Sequence, residues 1–71
     1  MLNKKFARVL KQLRRQKGFS QETFGFEANL HRTYVSQLER GLKSPSLETL
    51  ERICKALGIK MSRLLQLIEK Q

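Results

Sequence analysis

The chain has 71 residues, the length of one small domain, and its single cysteine (Cys54) excludes an internal disulfide. One cysteine and one histidine (His31) also fall short of the four ligands of a structural zinc site, so no metal is expected. Fifteen Lys and Arg stand against six Glu and no Asp, a formal net charge of +9, which points to polyanionic partners, nucleic acid ahead of a membrane surface.

A domain of this size buries only about 60% of the surface its unfolded chain exposes. With disulfide and metal excluded, oligomerisation is the natural source of added stability. The basic N-terminal stretch has no leader-like apolar core, because Arg8, Lys11 and Gln12 interrupt Phe6 to Leu13. No run approaches the roughly 18 apolar residues of a membrane span. With a lone cysteine, this composition predicts a cytoplasmic protein.

The apolar periodicity is helical from end to end. Leu2, Phe6, Val9 and Leu13 mark one face of a first helix over about Asn3 to Lys17, and every charged residue before Gly18 is positive. Ser20 is an N-cap for a second helix, Gln21 to Ala28, with Phe24 and Ala28 facing inward. Ala28 to His31 reads as a tight turn, since Asn29 tolerates the left-handed conformation. A third helix, Arg32 to about Glu39, turns Val35 and Leu38 inward.

Gly41 to Ser46 is a loop, because Pro45 bars a helix from passing through it. Ser46 caps a fourth helix, Leu47 to Leu57, whose apolar side is Leu47, Leu50, Ile53, Cys54 and Leu57. Gly58 ends it. A fifth helix follows from Met61 to about Lys70. Five short helices leave no room for strands, so the fold class is all-α and residues 1–71 form a single domain.

The second and third helices meet the physical demands of a helix-turn-helix. Gly25 is small where the helices cross, and Asn29 suits the turn. Leu30, Val35 and Leu38 lock the third helix down, while Arg32, Thr33, Ser36, Gln37 and Arg40 leave its outer flank polar.

Gln21 to Arg40 resembles the helix-turn-helix of phage-repressor-like (XRE-type) regulators. Ser20-Gln21-Glu22, the stretch Tyr34 to Gly41, Pro45 to Leu50 and Lys55 to Ile59 are all similar to that family. Arg32-Thr33-Tyr34-Val35-Ser36 carries a narrower resemblance to the controller proteins of restriction–modification systems. The chain departs from the family pattern at Gly25 and Asn29, where alanine and glycine are usual. It also departs at Phe24, Phe26, His31 (in place of a capping Ser or Asp) and Lys60.

In such a fold the recognition helix presents its N-terminal residues to base edges in the major groove. Arg32 suits guanine O6 and N7, with a phosphate contact as the alternative. Thr33 suits a base or thymine methyl, or else the backbone. Ser36 suits base or phosphate, and Gln37 adenine or solvent. Backbone contacts are expected from Gln21, because helix N-termini attract anions. They are also expected from Arg40, Lys43 and Ser44 in the following loop, where Lys43 has solvation as its alternative. Tyr34 either packs on the sugar-phosphate or covers the core edge. The resemblance further implies that Glu39, poorly suited to DNA, pairs with Arg14 of the first helix.

The last helix carries more apolar residues than one core face needs. Ile59, Met61, Leu64, Leu65 and Ile68 are therefore expected at a homodimer interface, unless they serve the chain's own core. A two-fold pair would set recognition helices about 34 Å apart on a pseudo-palindrome. The expected function is a homodimeric transcription regulator of restriction–modification genes, with double-stranded DNA and a second copy as partners and RNA polymerase as a further candidate. An antitoxin, or a phage-type repressor with the same domain, is the alternative. Neither a toxin-wrapping tail nor a separate assembly domain is expected from these residues, which favours the first reading. Enzymatic chemistry, a cofactor and single-stranded RNA binding all lack their residues: no Asp, no phosphate loop, no aromatic platform.

Overall fold

The computed structural model describes residues 2–71 and shows five α-helices with no strand among them. They are α1 (Leu2–Gln16), α2 (Gln21–Ala28), α3 (Arg32–Glu39), α4 (Leu47–Leu57) and α5 (Met61–Glu69). The all-α expectation holds, and no helix is long and apolar enough to cross a membrane.

Local chemistry accounts for the helix limits. The Ser20 side chain accepts from Thr23 N–H at 3.0 Å, and that of Ser46 from Thr49 N–H at 3.1 Å, so α2 and α4 start on capped amides. After α4, Gly58 takes the left-handed conformation (φ 66°), which lets Ile59 N–H return to Cys54 O at 3.0 Å and close the last turn. Lys60 supplies no side-chain cap to α5.

α1 packs on α3 and α5, α2 on α3 and α4, and α4 on α5. Between them lies one core, led by Leu10, Phe24, Val35, Leu38, Ile53 and Leu64, all fully buried. The Phe19 ring packs on Phe24 with centroids 6.3 Å apart. Cys54 is buried in the same core, and burial pushes its thiol above the ordinary range.

Two leucines depart from the expected stripes. Leu2 and Leu47 are 70% and 77% exposed. Each is the first residue of its helix. At about 100° per residue, Leu47 lies well off the face centred on Thr49, Ile53 and Leu57, so Thr49 is buried instead.

Candidate nucleic-acid interface

The helix-turn-helix is built on one close backbone approach. Asn29 adopts φ 57°, ψ 46°, and the turn brings Leu30 N–H to Gly25 O at 2.7 Å. A Cβ on Gly25 would lie 2.5 Å from Leu30 O, so the crossing of α2 and α3 requires glycine as it stands. Val35 and Leu38 then anchor α3 in the core.

A polar clamp fixes the other end of α3. Arg14 Nε donates to Glu39 Oε2 at 2.6 Å and Nη2 to Oε1 at 2.9 Å, while Nη1 donates to Phe19 O at 2.8 Å. This pair joins α1 to α3, as the resemblance implied. The hydrogen bonds to Glu39 hold the Arg14 guanidinium above its ordinary range, against the opposing effect of burial.

Anchored in this way, α3 presents Arg32 and Thr33 fully outward, with Ser36, Gln37 and Tyr34 half-buried along its flanks. Arg32 Nη1 reaches Glu22 Oε2 of α2 at 3.4 Å, both side chains being exposed. His31 precedes them as the N-cap: its Nδ1 accepts from Thr33 N–H at 3.0 Å. A ring nitrogen here does the work of the usual serine or aspartate oxygen.

The expected backbone-contact residues are placed less uniformly. Gln21 Nε2 donates to Glu39 Oε1 at 3.1 Å, so its side-chain amide is spent on the clamp. Its backbone N–H, at the head of α2, is the group left for a phosphate. Exposed Arg40 closes α3 with Nε 3.4 Å from Ser36 O. Ser44 Oγ donates to Asn3 Oδ1 at 2.8 Å, which pins the loop to α1. Lys43 is exposed in that loop. The resemblance puts His31 at the capping position, but Glu22 and Asn3 have no signal in the linear pattern, because their contacts depend on the angle between elements.

The expected interface residues divide. Leu64 and Ile68 are buried within the chain's own core, a correction to their expected place on a contact surface. Five apolar residues on one short helix face two ways, and these two face inward. Leu65 is 46% exposed, while Ile59 and Met61 are half-buried. Leu65 opens onto a mainly apolar groove of about 190 Å³ walled by Leu2, Phe6, Pro45 and Leu50, with Ile68 at its edge.

A helix-turn-helix family model matches residues 10–64. Control protein C.BamHI of Bacillus amyloliquefaciens is 46% identical over 61 residues, covering 84% of this chain and 75% of the relative. Control protein C.MunI of a Mycoplasma species is 44% identical over 68 residues, covering 94% and 92%. The crystal structure of the wild-type restriction–modification controller protein C.Esp1396I superposes with a TM-score of 0.90 at 33% identity, covering 99% of this chain and 90% of that one. The chain therefore belongs to the helix-turn-helix family of DNA-binding regulators, in which restriction–modification controller proteins are among its relatives.

Proposed function

We propose that this chain is a homodimeric transcription regulator that reads a pseudo-palindromic operator and controls restriction–modification genes. The observation that carries the reading is the outward flank of α3. Arg32 and Thr33 are exposed at its head, while Val35, Leu38 and the Arg14–Glu39 clamp hold the opposite side rigid. Arg32, Thr33, Ser36 and Gln37 meet base edges, and the Gln21 backbone, Tyr34, Arg40, Lys43 and Ser44 line the phosphate path. The control of restriction–modification genes is supported by similarity to controller proteins over most of the chain.

The second copy docks on the apolar groove around Leu65, in this reading. Leu2 and Leu47, both exposed, extend that groove, since Leu47 lies one turn before groove-lining Leu50. A domain this small gains stability by covering such a surface. RNA polymerase enters as a partner where the operator position permits activation.

The test is binding to the chain's own upstream region and to random duplex across a salt series. Sequence-selective affinity that falls steeply with salt is expected. Equal affinity for both duplexes at every salt concentration refutes the reading.

A further inference from the structure

The imidazole of His31 stands at the head of α3 in one defined hydrogen-bonding state. Nδ1 accepts from Thr33 N–H at 3.0 Å. An acceptor nitrogen carries no proton, so this hydrogen bond requires the tautomer with its hydrogen on Nε2. Nε2–H has no acceptor among the described residues, and the ring is exposed beside Arg32 and Thr33. An aspartate cap would satisfy the same amide and present no donor, and the hydroxyl of a serine cap would lie closer to the helix than Nε2–H does.

We propose that His31 is a further specificity and positioning residue of the DNA surface, acting as a neutral cap. Nδ1 sets the first turn of α3, and Nε2–H donates to an acceptor on the duplex, a base edge or a phosphate oxygen. The assignment rests on the DNA-binding reading and adds a residue to it.

The charged groups on the elements around this corner are Arg32 on α3 and Glu22 and Glu27 on α2. Glu22 is engaged with Arg32, and Glu39 with Arg14 of α1; Tyr34 is the remaining titratable side chain of α3. Among the described residues no carboxylate pairs with the His31 ring.

Operator affinity at fixed salt is measured for the full chain and for His31→Ser. Serine keeps a cap acceptor, and its short hydroxyl cannot reach where Nε2–H points. The variant is expected to bind about three- to tenfold more weakly, the scale of one hydrogen bond.

Loss confined to one base pair in a panel of substituted operators assigns a base-edge acceptor, and uniform loss assigns a phosphate oxygen. Equal affinity of the two proteins overturns the proposal. Because His31 is the chain's single histidine, the imidazole ¹⁵N resonances of the free protein read its tautomer without DNA. The Nε2–H form is expected, and the Nδ1–H form overturns the capping assignment on its own. The Nε2–H form in a chain that binds no duplex selectively overturns the DNA-binding reading, and the contact with it, while leaving the cap intact.

Discussion

Glu39 receives both nitrogens of one edge of Arg14, at 2.6 and 2.9 Å, and a third hydrogen bond from Gln21 Nε2 at 3.1 Å. The two side chains are 9% and 3% exposed, so neither ion has water to fall back on. Their value lies in being matched. Glu39→Ala leaves a buried guanidinium without its partner and is expected to cost about 3–5 kcal/mol, read by urea denaturation. Replacing both, as Arg14→Met with Glu39→Leu, should cost less than the single change. A double variant no more stable than the single one would show that the clamp carries net stability beyond charge matching.

Gly25→Ala tests the crossing of α2 and α3. Alanine raises helix propensity by about 1 kcal/mol. Its Cβ, however, would sit 2.5 Å from Leu30 O, a backbone atom that cannot swing aside. The added methyl must push α3 away, and a net destabilisation of about 1–2 kcal/mol is expected. Because α3 carries the proposed reading residues, operator affinity should fall by more than the stability loss alone explains. A variant more stable than the parent would mean that this crossing opens without cost.

Much of this architecture is legible in the amino-acid sequence because short-range chemistry sets it. Ser20, Ser46 and Gly58 mark helix ends within a residue of where α2 and α4 begin and α4 stops. Asn29 is left-handed because its place in the turn demands it. The Arg14–Glu39 pair was reached through family resemblance, since a separation of 25 residues has no periodicity to betray it. Spacing leaves Leu64 and Ile68 open between interface and core because α5 is apolar on two faces, and it cannot say which one meets α1. The resemblance puts His31 at the capping position, but that its ring serves as the cap depends on one side-chain rotamer that residue type does not dictate. Phe26 remains 83% exposed on α2, and nothing in the structure explains it.

Arg32 and Lys43 should separate in binding experiments. Arg32→Ala is expected to cost about 1–3 kcal/mol at one base pair and to relax discrimination there. Lys43→Ala should weaken all duplexes alike and lower the magnitude of the salt slope by about one. Fluorescence anisotropy against a panel of substituted operators distinguishes the two patterns. Uniform weakening by Arg32→Ala would move that side chain from a base edge to a phosphate.

The adjacent residues Leu64 and Leu65 give a paired test of the apolar surface. Leu64 is fully buried in the chain's own core, whereas Leu65 is nearly half exposed at the rim of the groove. A carboxylate at position 64 would be buried without a partner, so Leu64→Glu is expected to unfold the domain and abolish its helical circular dichroism. A carboxylate at position 65 can stay in water in the monomer but not against a second apolar face. Leu65→Glu should therefore keep the helical signal and shift the sedimentation coefficient from dimer to monomer. Operator binding should then weaken, because each half-site must be filled separately rather than by a joined pair. A folded Leu65→Glu chain that sediments as the parent does would move the contact between copies to another face of the molecule.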